Sequence, residues 1–295
     1  MKRLITKLFV FVLAIITVFT FVSCQGKEIP VEQAYGELET AINKVANEVN
    51  QLSISLRGTA DISNDTSSET GSSETGSEEM DSIVESGRYT ATADLKIVTD
   101  NDRKITSGSV KVKLTDTNDE SLIFETYVKD GYNYTYTNLF MESYSYEEYE
   151  NEAIELEDDD RENLKKAIKD FKDAVPAPTA TQKGKETTLV WTITNENKKE
   201  YVKAFYTLTG KTIADEEIEN MVSEVNVEKG EITLVINEGY LTSMKVVLKG
   251  SGEGVNLNAE LTADISYKNV TPAFDETRLA EIRTEATKDN QEQNS

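Results

Sequence analysis

From Val255 to Tyr267 apolar and polar residues alternate without a break, with Val255, Leu257, Ala259, Leu261, Ala263, Ile265 and Tyr267 on one side of the chain. A period of two places those seven side chains on one face of an extended strand, and a strand with one apolar face must sit in a sheet whose face is covered. Shorter stretches repeat the pattern. Leu52 to Ile62, Tyr89 to Ile97, Val110 to Leu114, Leu189 to Ile193, Ile232 to Ile236 and Met244 to Leu248 all read as strands. Asp130-Gly131, followed by Tyr132, Tyr134 and Tyr136, reads as a type I′ hairpin turn, and Asn237-Glu238-Gly239 joins another pair. Such neighbours are antiparallel.

Helical periodicity is scarcer. Val31, Ala34, Tyr35, Leu38, Ala41, Ile42, Val45 and Val49 form one stripe on a helix running to about Asn50. A second helix carries Leu164, Ala167, Ile168, Phe171 and Val175 and stops at Pro176 and Pro178. Lys198 to Leu208 and Ala214 to Val225 read as two more, the latter with Ile218, Met221, Val222 and Val225 inward. Few helices facing many strands predict an α+β domain: a large curved antiparallel sheet with helices packed on one side.

The N-terminus reads differently. Lys2, Arg3 and Lys7 precede an apolar run from Leu8 to Val22, then Ser23 and Cys24, the single cysteine of the chain. The run is about 15 residues, short of the roughly 20 that span a bilayer. This segment resembles bacterial lipoprotein signals, which implies cleavage after residue 23 and acylation of the Cys24 thiol. Gln25 is compatible with transfer to an outer membrane; otherwise the expected place is the outer face of the cytoplasmic membrane. The organisation expected is a signal peptide over 1–23, a lipidated tether over 24–30, one domain over 31–277 and a polar C-terminal tail over 278–295. Within the domain, 63–82 contains mostly Ser, Thr, Gly and Glu and reads as a disordered acidic insertion.

Charge and composition narrow the function. The chain carries a net charge of −23, and losing residues 1–23 removes three basic residues and no acid, giving −26. Such a surface repels phosphate backbones, so nucleic acid is excluded as a partner. There is no histidine, and the only cysteine is taken by the anchor. Histidine-dependent triads and zinc sites are therefore excluded. Nothing singles out an acidic pair among 54 acids, so the chain reads as non-catalytic, with no cofactor and no metal. Asp100-Asn101-Asp102 and Asp116 to Glu120 read as turns, and Glu155 to Asp160 as a solvated charge run.

The order of elements also resembles the half-barrel lipoproteins related to LolA, LppX and LprG. The resemblance rests on Ser55-Leu56-Arg57-Gly58, on the hairpin Val128-Lys129-Asp130-Gly131-Tyr132, and on Ile236-Asn237-Glu238-Gly239-Tyr240-Leu241 before Met244-Lys245-Val246. It implies an unclosed half-barrel with helices packed on its concave face, which in several relatives holds an acyl chain or another apolar ligand. The expected function is a membrane-anchored, non-catalytic binding protein for a lipid or other apolar small molecule. The alternative is an envelope or surface protein-interaction module with a packed core and no ligand, its protein partner unspecified. Trp191, Leu257, Ala259 and Leu261 are the expected ligand-lining residues, with Ala91, Ala93, Ala259 and Ala263 leaving room on the inward face.

Overall fold

The alternating segments pair into one sheet in the computed structural model, which describes residues 26–64, 86–139, 141–150, 166, 168–208, 213–252 and 255–293. β1 (Lys27–Glu28) and α1 (Val31–Glu48) come first, then β2 (Gln51–Asn64), β3 (Gly87–Thr99), β4 (Ile105–Thr115), β5 (Ser121–Lys129), β6 (Tyr132–Thr137) and β7 (Ser143–Glu148). Helix α2, described over 168–174, precedes β8 (Thr179–Lys183), β9 (Glu186–Ile193), α3 (Lys198–Leu208) and α4 (Asp215–Ser223). β10 (Asn226–Asn237), β11 (Tyr240–Gly252), β12 (Val255–Ser266) and α5 (Glu276–Gln293) complete the order.

The twelve strands of the described residues belong to one antiparallel sheet in the order β1-β8-β9-β10-β11-β12-β2-β3-β4-β5-β6-β7. Its two ends do not pair, so the fold is α+β with an unclosed sheet. The hairpins close as their turn residues dictate. Asp130 and Gly131 (φ 52° and 80°) join β5 to β6, and Glu238 and Gly239 (φ 55° and 77°) join β10 to β11, both left-handed pairs that match strand twist.

The front face of the sheet carries the main core. Ala34, Tyr35, Leu38, Ala41 and Ile42 of α1 are buried against Leu189, Trp191, Leu234, Met244 and Ala263. Ile168, Phe171 and Val175 of the α2 segment and Tyr201 and Ala204 of α3 join them. α4 buries Ile218 and Val222, whereas Met221 and Val225 are exposed, against the expectation that all four point inward. A helix of nine residues offers only two turns, and one narrow stripe is all it can bury.

Three segments depart from the sequence reading. The tether is not free beyond Gly26: Lys27 and Glu28 pair with Gln182 and Thr181, and Ile29 N–H donates to the Ala180 carbonyl at 3.0 Å. An edge strand presents unpaired backbone groups, and the passing chain satisfies some of β8's. β7 is a strand that the sequence reading did not include, with Tyr144 and Tyr146 opposite Tyr136 and Tyr134. The polar tail from Arg278 is instead most of α5, which buries Leu279, Ile282 and Ala286.

α5 occupies the back face. Neighbouring residues on a strand point to opposite faces; Val128 of β5 lies in the main core, while Tyr127 packs with Tyr136, Leu279 and Ile282 in a second one. Glu125 holds the two elements together. Its carboxylate accepts from Arg278 Nε at 2.8 Å and pairs with Lys111 Nζ at 3.1 Å. Burial acts to raise the Glu125 pKa, but the hydrogen bonds from Arg278 and Lys111 outweigh it and hold the carboxyl below the ordinary range. The Arg278 guanidinium also lies 3.9 Å from the Tyr136 ring centroid.

Candidate functional site

The cover on the front face stops halfway. α1 has 18 residues, which makes it about 27 Å long, against about 50 Å for twelve strands side by side. Its contacts fall mainly on β8 to β11; β12, β2, β3, β4 and β5 join the main core only at one end, through residues such as Ala263, Ile54, Leu95 and Val128, and their other end is left open.

Register makes the consequence explicit. One row of directly paired residues crosses eight strands on the front face: Trp191, Ile232, Val246, Leu261, Gly58, Ala91, Leu114 and Leu122. Trp191 and Ile232 are 1% and 3% exposed at one end, and Leu114 and Leu122 are 42% and 44% exposed at the other. The row passes from a packed core to an open surface without changing chemistry.

The open part is a trough of about 770 Å³. Its floor is Gly58, Ala60, Ala91, Ala259 and Leu261, with Val246 at one end and Leu114 and Leu122 at the other. Small residues make the depression: a Cβ on Gly58 would stand 3.0 Å from Leu261 Cδ1 and 3.6 Å from Ala91 Cβ. The rim at the β4–β5 turn is polar, with Asp116, Glu120 and Asn138. A second hollow of about 400 Å³ lies beyond it, lined by Met221 and Val225 next to α4 and by Leu248, Val255 and Leu257.

Of the four residues expected to line a site, Ala259 and Leu261 line the trough and Leu257 the second hollow. Trp191 lines neither. It is enclosed by Tyr35 and Phe171, whose ring centroids lie 6.4 and 5.9 Å away, because α1 and the α2 segment seal that end of the row. Alternation told which face Trp191 is on; it did not tell what covers the face. Ala91 also lines the trough, while Ala263 is buried in the helix-covered core. Leu114, Leu122 and Val246 were not singled out from sequence, although Leu114 and Leu122 flank a tight turn on matching faces.

The rim acids have structural work. Asp116 Oδ1 accepts from the backbone N–H groups of Asn118 at 2.8 Å and Glu120 at 2.9 Å, which fixes the β4–β5 turn. Asp100 Oδ1 does the same for Asp102 and Lys104, each at 2.9 Å. Glu260 pairs with Lys245 at 2.5 Å. Among the described residues no group of His, Cys, Asp and Glu is placed to hold a metal ion. Cys24, most of the acidic insertion (from 65 on) and Glu155 to Asp160 lie outside the described residues.

No protein-family model matches this chain, and neither does any curated protein. Among solved structures, a β-barrel-like protein of the domain of unknown function DUF1849 from Brucella abortus is similar at 8% identity, covering 74% of this chain and 98% of its own, with a TM-score of 0.16. At that score the likeness carries no argument. What stands of the half-barrel description is a large, open antiparallel sheet.

Proposed function

We propose that this chain is an exported lipoprotein, anchored to a membrane through acyl chains on Cys24, that binds a lipid or other apolar molecule in the trough and catalyses no reaction. The observation that carries the reading is the row from Trp191 to Leu122, half covered by helices and half bare. A contiguous exposed apolar surface with a polar rim is the form that ligand-binding grooves take.

Magnitudes select the kind of ligand. Each methylene buried contributes about 0.8 kcal/mol, and association costs of order 4–15 kcal/mol. A short hydrocarbon cannot offset that cost, whereas a chain of more than about ten carbons can. The absence of histidine and the turn roles of Asp116 and Asp100 favour carriage over chemistry.

Native mass spectrometry of the gently purified protein tests the reading. A co-purifying apolar molecule, lost when the trough is filled by Ala259→Trp, supports it; a bare protein mass that stays bare after incubation with lipid extract refutes it. A second reading, an envelope interaction module with a packed core, is favoured by Leu139 and Met141, which stand 37% and 75% exposed after β6. Refutation of ligand carriage would make it the better one.

A further inference from the structure

We infer that the trough is a length gauge for one extended alkyl chain lying across the strands, with the chain terminus against Val246 and the entrance at Leu114 and Leu122; this rests on the reading of the trough as an apolar-ligand site. The trough runs perpendicular to the strands because its lining follows one paired row. From Val246 on β11 to Leu122 on β5 the row crosses five strand spacings, about 24 Å at 4.8 Å each. Along the strands its floor is only two residues deep, Gly58 with Ala60 and Leu261 with Ala259, or about 7 Å. That shape accepts one polymethylene chain on its side.

The two ends differ. Beyond Val246 the row continues into Ile232 and Trp191, both buried under helices, so the trough is blind there. Beyond Leu114 and Leu122 the rim turns polar at Asp116, Glu120 and Asn138, so an amphiphile enters tail first and leaves its head at that rim. An all-trans chain advances about 1.25 Å per carbon, the projection of a 1.5 Å bond on a tetrahedral zigzag. About 24 Å therefore holds roughly 19 carbons.

The test is competition of saturated straight-chain 1-alkanols of 10 to 22 carbons, delivered from cyclodextrin, against a fluorescent long-chain probe on the purified protein. Affinity is expected to rise about 4-fold per carbon and to stop rising near 19 carbons. Val246→Phe, a change at the blind end, is expected to move that break down by about two or three carbons without weakening the short members, while Leu122→Ala leaves the break in place. A series that keeps tightening through 22 carbons would mean that the chain runs on into the hollow beside α4 and would overturn the gauge alone. A break left unmoved by Val246→Phe, in a variant with unchanged melting temperature, would do the same. No displacement at any length would overturn both the gauge and the apolar-ligand reading.

Discussion

Leu261 of β12 leans over Gly58 of β2, so that a Cβ on the glycine would stand 3.0 Å from Leu261 Cδ1. Gly58 is not required for a turn. Its lack of a side chain deepens the trough at the centre of the row, between Leu261 and Ala91. Glycine inside a strand costs about 0.5–1 kcal/mol relative to alanine, a cost that a packed face would not carry. Gly58→Leu is therefore expected to cut uptake of a long-chain probe at least 10-fold while moving the melting temperature by less than about 3 °C. Unchanged uptake in a folded variant would show that the trough floor is not the binding surface.

On the back face, Arg278→Ala removes one of the two cations on the Glu125 carboxylate. The loss is expected to be about 2 kcal/mol, between a neutral hydrogen bond and a fully buried ion pair, because Lys111 remains. Chemical denaturation at neutral pH checks it. A change under about 0.5 kcal/mol would mean that α5 docks through Leu279 and Ile282 alone.

The same carboxylate sets a pH dependence. Its folded pKa is depressed, so its contribution is present above the unfolded value of about 4.3 and is lost as pH falls through the folded value. The stability gap between the natural protein and Glu125→Gln should be full at pH 7 and shrink below about pH 4. Denaturation midpoints of both proteins across that range measure the gap. A gap that widens on acidification would contradict the assignment.

How far the sequence speaks is clearest at Trp191 and at α5. Strand positions and faces are local properties of alternation, so Leu52 to Ile62, Tyr89 to Ile97 and Val255 to Ile265 announce themselves. Cover is not local: it depends on where a 27 Å helix comes to rest on a 50 Å sheet. Hence Trp191 and Leu261, alike in pattern and in the same row, end in a core and in a trough. α5 is hard to read because Leu279, Ile282 and Ala286 are diluted by charged and polar neighbours, and its docking draws on Arg278 meeting Glu125 and Tyr136 far away in the chain. β1 and β8 are short and polar, and each exists because a neighbour offers it an edge, β8 to β1 and β9 to β8.

Trp191 gives a direct check, being the single tryptophan. Enclosed by Tyr35 and Phe171, it should emit at short wavelength, resist iodide quenching and stay unchanged when an apolar molecule fills the trough. Trp191→Ala should cost about 3–5 kcal/mol through the cavity it leaves. Strong iodide quenching would place the indole at an open surface instead.

The central claim, that the bare half of the front face is a binding surface, is tested most directly by equilibrium titration of the purified protein and its Ala259→Trp variant with one long-chain fluorescent probe. The account predicts saturable uptake near one probe per chain for the natural protein, and at least 10-fold weaker uptake for the variant at an unchanged melting temperature. Uptake that never saturates, or that is equal in the two proteins, would contradict it.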